Sequence, residues 1–305
     1  MSIAKFIISL DCEMLWGVQC SGGVERYPYL RDGFESYYDT LLNLFDQYNI
    51  DATFAFVASM ALTDKEFSEC CHSLSTPQGY GLWLDKIENK SRQNALSWFN
   101  ASLISKVVQA KQKHEIGSHT WTHIKFDADV VSSDVASIEL LKSHSILSQC
   151  CGQSVKSFIF PGNHIAHLDQ YQKSSYKIYR GKDEVWYQIL PFKRFFHFLD
   201  QCFPVAPRGV GMRLDLYGNC YLPGSIMLFP YDGIRKYIPD CVRYIKIKRG
   251  IDKVIREGKI FHLWFHPWNL GGSKRMLHLL EKTLWYVAKK RSERQLEVST
   301  MGMLV

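Results

Sequence analysis

Short apolar runs alternate with stretches whose apolar residues recur every three or four positions, and this alternation extends through most of the chain. Residues 3–10 predict a first strand, apolar on both faces as a buried parallel strand is. Residues 34–48 predict a helix with Tyr38, Leu41, Leu42, Phe45 and Tyr48 on one face. A strand over 52–58, a helix over 102–113 and a strand over 114–118 follow. A long amphipathic helix over 129–150 turns Val131, Val135, Ile138 and Leu141 inward. Further strands are predicted at 158–160, 176–179, 226–229 and 260–265, and a closing helix at 276–290. Strands that alternate with helices predict parallel βα units. A polar, Trp-containing insertion at about 63–99 interrupts the pattern. The aromatic and basic stretch at about 181–224 resists periodic reading and is expected to cover one end of a single domain, 1–305.

Composition narrows the class. With 46% hydrophobic and 22% charged residues in 305, the chain is neither disordered nor fibrous, and the length suits one α/β barrel with insertions. No apolar run approaches the length of a membrane span. Residues 6–10 are too short for a secretion signal and lead into Asp11 and Glu13, so a cytoplasmic protein is expected. Nine cysteines, with adjacent pairs at Cys70-Cys71 and Cys150-Cys151 and no CxxC, argue against both a disulfide framework and a four-thiolate zinc site.

The candidate chemistry lies just after strands. Asp11 and Glu13 follow the first, His119 and His123 the third, Asn163 and His164 follow FIFPG, and His266 ends the last. In parallel α/β folds the carboxyl ends of strands meet at one face, where active sites are built. Alone, a His-x-x-x-His pair is a weak signal. In HEIGSHTWTH, however, the turn after the strand lets both imidazoles reach one metal, and two imidazoles with a carboxylate are a common catalytic zinc set. Asp11 and Glu13 are two apart and share one side of an extended chain, so one can bind metal while the other serves as base; Cys12 faces away. His266, at the strand end, is the better placed of the last strand's histidines to exchange protons. His262 lies deeper and reads as a core residue.

These residues resemble the polysaccharide deacetylases, carbohydrate esterase family 4 with its NodB-homology domain. HEIGSHTWTH carries most of the likeness; SLDCE, FIFPG and LWFHP match other motifs in the family's order, and the phrasing is most similar to the branch associated with bacterial surface-polysaccharide biosynthesis. The resemblance implies a distorted (β/α)7-type barrel and a divalent metal, usually zinc. It puts Asp11 on the catalytic base, His119 and His123 on metal ligands, His266 on the general acid, Trp264 on the acetyl-methyl pocket, and Pro161 on the wall of the substrate groove. Cys12 stands where a second aspartate is common, so the carboxylate ligand falls to Glu13. Ile159 stands where the third motif has an arginine that orients the base, and the fourth motif's Asp-Trp pair is not found. Gly162 and Asn163 are expected to offer backbone N–H groups to an oxyanion, and Trp121 and Trp268 to line the groove.

The implied reaction is hydrolysis of the N-acetyl group of an amino sugar. Three rivals remain open: a cyclic-amide hydrolase of the same family, a glycosidase using Asp11 and Glu13 as paired carboxylates, and a non-catalytic carbohydrate-binding protein. The net charge is +7, with nine Lys/Arg against three Asp/Glu between Arg235 and Lys259 and a second cluster at Lys289–Arg294. Solvated helix faces explain both clusters. The functional reading is attraction to a nucleotide- or lipid-diphosphate-linked sugar or to a membrane surface. No nucleic-acid-binding motif is recognisable.

Overall fold

The structure, a computed structural model, describes residues 3–18, 34–73, 79–91, 98–271 and 273–305. Among these, ten strands form one sheet: β1 (Ala4–Cys12), β2 (Thr53–Phe56), β3 (Glu115–Ser118), β4 (Ser157–Phe158), β5 (Ile178–Gly181), β6 (Arg213–Leu214), β7 (Cys220–Pro223), β8 (Ile226–Met227), β9 (Ile260–Phe265) and β10 (Leu296–Ser299). Their order is β6-β7-β5-β4-β3-β2-β1-β9-β8; β10 pairs the first half of β1 and β2 pairs its second half. Every ladder except β6–β7 is parallel.

The pleat of β1 separates two environments. Phe6, Ile8, Leu10 and Cys12 join the large core beneath the helices. Ile7 turns the other way and meets Ala55, Ile159, Ile178 and Leu222 in a second, inner cluster. Residues from strands so far apart in the order can touch only if the sheet curls into a barrel, as the family resemblance implied. The seam lies between β7 and β8, which stand near opposite ends of the order yet are joined by Gly224 and Ser225 alone. A Cβ at Gly224 would lie 2.0 Å from an Asp183 oxygen and 2.8 Å from Trp264 Nε1, so only glycine passes there.

The helices are α1 (Met14–Val18), α2 (Glu35–Tyr48), α3 (Asp64–His72), α4 (Tyr80–Ser91), α5 (Ala101–Val108), α6 (Ser133–Cys151), α7 (Leu168–Gln172), α8 (Lys193–Cys202), α9 (Asp240–Glu257) and α10 (Lys274–Ser292). Local chemistry sets their ends. Asn49 closes α2 in the left-handed region, a Thr63–Glu66 capping box opens α3, and Ser132 caps α6 before Gly152 ends it. The Ser132 cap is why α6 begins at 133 rather than 129. The strand expected at 158–160 stops at Phe158, because Pro161–Asn163 forms a tight turn. The insertion supplies α3 and α4, with 74–78 and 92–97 outside the described residues. The stretch at 181–224 holds α8, β6 and β7; α9 was expected only as the solvated helix face of the basic cluster, and β10 had no expectation at all.

The basic clusters resolve mainly into paired helix faces. Lys246 meets Asp200 at 2.7 Å, Lys248 meets Asp252 at 3.0 Å, Lys253 meets Glu257 at 4.0 Å, and Lys290 meets Glu293 at 2.9 Å.

Candidate active site

β1 carries Asp11 into the mouth of the barrel, and the chain turns into α1 just beyond Glu13. Gly17, one turn into α1, makes room for the Glu13 carboxyl: a Cβ there would lie 1.9 Å from Glu13 Cδ. Glu13 Oε2 is 2.8 Å from His123 Nε2 and 3.5 Å from His119 Nε2, while its Oε1 is 3.3 Å from His266 Nε2 and accepts from the Trp268 indole at 3.3 Å. Burial pushes the Glu13 carboxyl up, but His266 and His123 hold it well below the usual carboxylate range.

The two histidines of HEIGSHTWTH come from a strained turn after β3. Thr120 has φ 69° and His123 φ 59°, and a β-branched residue in that region costs about 1–2 kcal/mol. Glu139 of α6 offsets it from beneath. Buried completely, its carboxylate accepts the backbone N–H of Trp121 at 2.7 Å and of Thr122 at 2.9 Å, together with the hydroxyls of Thr122 and Tyr80. The Trp83 indole of the insertion donates to the Thr122 hydroxyl at 3.0 Å. Glu139, Tyr80 and Trp83 thus fix the spacing of the histidines. Nothing in the motif itself points to them.

Asp11 has the arginine that FIFPG lacks. Arg180, on the inward face of β5, donates to both Asp11 oxygens at 2.5 and 2.7 Å and stacks 4.0 Å from the Trp264 ring centroid. It also donates to Ser9 and to the Asn163 side chain, each at 3.3 Å. Burial pushes the Asp11 carboxyl up; the Arg180 guanidinium beside it, aided by His119 and His266, leaves it below its ordinary value. Ile159 is instead part of the inner barrel cluster. Trp264 also donates to Asp183 at 2.9 Å, an Asp-Trp contact that the sequence motifs did not disclose. Burial raises Asp183 to about 6.

Several expected groove residues have other places. Trp121 is fully buried against Phe67, with centroids 5.9 Å apart, and cannot stack on a sugar. Trp268 is buried and serves the Glu13 carboxylate, and Trp264 lies beneath Arg180. Asn163 N–H is committed to Phe160 O at 2.9 Å, so no oxyanion donor is available at that atom; Pro161 is buried at the head of the same turn. His262 is a core residue as expected, bonded to Ser9 at 2.9 Å and to Pro223 O at 3.0 Å, and burial lowers it to about 3. The open space lies on the other side of His123. There a cleft of about 790 Å³ is lined by Tyr80, Leu82, Trp83, Lys125, Val130 and His164.

The donor set suits a divalent metal. His119 donates Nδ1–H to Ile159 O at 2.9 Å, which leaves a lone pair on Nε2. That buried Nε2 has no hydrogen-bond donor and points at an anionic oxygen 3.5 Å away, an arrangement of two acceptors that a cation between them makes favourable. Burial also lowers the His119 pKa and keeps the ring neutral, as a ligand must be. One ligand atom each from Glu13, His119 and His123 lies within 4.8 Å of the others.

The sequence profile described as "Polysaccharide deacetylase" matches residues 30–176. No curated protein matches the chain. Among solved structures, the fold is similar to that of a protein assigned as a polysaccharide deacetylase from Mycobacterium smegmatis, at 12% identity and TM-score 0.63 over 99% of this chain and 89% of that one. PuuE allantoinase is similar at 12% identity and TM-score 0.62, over 98% and 87%. A protein assigned as a polysaccharide deacetylase from Pseudomonas aeruginosa PAO1 has 12% identity and TM-score 0.58, over 97% and 88%. The profile match over residues 30–176 and the shared curled barrel make the chain similar to the polysaccharide deacetylases in sequence and in fold.

Proposed function

We propose that the protein is a metal-dependent N-deacetylase that removes acetyl from an N-acetylated amino sugar during the synthesis of a surface polysaccharide or related glycan. One observation carries this reading: Asp11, clamped by Arg180, shares a single barrel mouth with the Glu13–His119–His123 cluster and with His266, which lies 3.9 Å from Asp11. Glu13, His119 and His123 would hold the ion, with zinc best suited to two imidazoles and a carboxylate. The bound ion supplies a Lewis acid that acidifies water and polarises the acetyl carbonyl. Asp11, kept ionised and oriented by Arg180, takes the proton of the attacking water. His266 gives a proton to the departing sugar nitrogen, without which an amine leaves poorly. Trp268 and Arg180 keep the two carboxylates apart in role: the indole donates to Glu13 and the guanidinium to Asp11.

A nucleotide- or lipid-diphosphate-linked sugar, met in the cytoplasm by one catalytic domain, is the substrate we favour; the free thiols of all described cysteines support a reducing compartment. The test pairs metal analysis with acetate release from free, nucleotide-linked and lipid-linked N-acetyl sugars. About one zinc per chain and acetate release that stops with chelator support the reading. Protein that takes up no metal in zinc-replete buffer overturns it.

A further inference from the structure

The segment after β5 exposes the side of a helix that a core helix would bury. In α8 the polar side chains face the protein: Asp200 accepts from Lys246 at 2.7 Å, His197 bonds Tyr187 at 2.7 Å, and Gln201 accepts from Arg235 at 3.2 Å. Apolar side chains in and beside the helix point outward: Ile189 and Phe192 before it are 91% and 81% exposed, and Phe195 within it and Phe203 just after it are exposed with them. Arg235 ties the turn Gly233–Tyr237 to α8, and Ile234 and Tyr237 of that turn are exposed. So large a cluster of apolar tips marks an interaction surface.

Charge selects the partner. Lys193, Arg194 and Lys236 are exposed among these tips, and none forms an ion pair among the described residues. The acids of the same region are drawn elsewhere: Asp200 to Lys246, Glu184 to Arg213, Asp232 to Arg235. Aromatic and aliphatic tips interleaved with unopposed cations suit insertion among anionic lipid headgroups.

We propose that this face docks the protein on an anionic membrane surface. α8 and the turn Gly233–Tyr237 follow β5 and β8 past their carboxyl ends, the rim that also carries Asp11, Glu13 and His266. Docking therefore presents that rim to a sugar held at the membrane. In this the proposal deepens, and rests on, the reading of a lipid-linked substrate.

The experiment is flotation of the full chain with vesicles of 30% phosphatidylglycerol in phosphatidylcholine, beside pure phosphatidylcholine. Wild type is expected to float with the anionic vesicles at least tenfold more strongly, with binding reduced by 0.5 M salt. Phe192→Ser/Phe195→Ser and Lys193→Glu/Arg194→Glu should each weaken it about tenfold or more while the melting temperature and far-UV spectrum stay unchanged. Equal flotation with both vesicle types, or undiminished binding by either variant, overturns the proposal. So does a wild-type dimer that Phe192→Ser/Phe195→Ser converts to monomer, since the face would then cover a second copy. Acetate release from a water-soluble N-acetyl sugar should be the same in wild type and both variants, so a failure of docking is read separately from a failure of the deacetylase reading.

Discussion

Replacing Arg180 with Met leaves a shorter, unbranched apolar side chain and removes two hydrogen bonds to Asp11 and the stack on Trp264. Asp11 is 3% exposed, so its carboxylate would stay out of water without its counter-charge. Loss of one partner of a buried ion pair costs about 3–5 kcal/mol, to be read from the urea midpoint at pH 7.5. Arg180 lowers the Asp11 pKa in the fold, so the pair's contribution is present above the unfolded carboxylate value and lost as pH falls through the folded one. The wild-type contribution should therefore persist to about pH 4 and fade below it, while the gap narrows earlier only because the variant's Asp11, raised by burial, takes up its proton. In the variant burial prevails and the Asp11 carboxyl moves up. The acid limb of the pH–rate profile should follow it upward, with kcat down about 10²–10⁴-fold. Arg180→Lys, a single point donor, should fall between. Zinc content should not change, because neither Arg180 nor Asp11 is in the ligand cluster. An unmoved acid limb with kcat within twofold of wild type would refute the assignment of Arg180 to the base.

Gly17→Ala should weaken zinc binding by about 10–100-fold without lowering the melting temperature, since its Cβ strikes the Glu13 carboxyl while helix propensity favours alanine; unchanged zinc affinity would show that Glu13 is not confined there. Glu139→Ala should cost zinc affinity by about 10-fold or more, and Glu139→Gln, which can still accept both backbone N–H groups, should retain most of it; isothermal titration distinguishes them. His262, held neutral to about pH 3, makes the unfolded chain bind one more proton between roughly pH 6 and 4. Stability should thus rise with pH across that window, and His262→Gln should flatten the slope by about 1.4 kcal/mol per pH unit; parallel slopes in urea titrations would contradict the burial assigned to this ring.

What the sequence disclosed follows from how far each signal reaches. His119 and His123 lie in one turn, and Asp11 and Glu13 are two positions apart on one strand, so local spacing was enough to find them. Arg180 reaches Asp11 across the barrel, 169 positions away, and no short motif records that. One cue was present: Ile178 and Arg180 alternate on the inward face of β5, which marks the arginine as pointing into the barrel. Trp121 misled because alternation fails in a turn. With Thr120 at φ 69°, the indole goes down into the core although its neighbours face the site. Strand β10 escaped because its single ladder covers four residues, one of them exposed.

β1 has a consequence for how the molecule is made. It lies between β2 and β9 and also takes β10, so β1 waits for partners synthesised long after it; Ser9 meets His262 across 253 positions. At about 5–20 residues per second, translation exposes this largely apolar strand for ten seconds or more before β9 exists. The nascent chain therefore carries an unpaired, aggregation-prone edge, and a chaperone that holds β1 during synthesis would raise the yield of soluble protein more than one acting on the released chain.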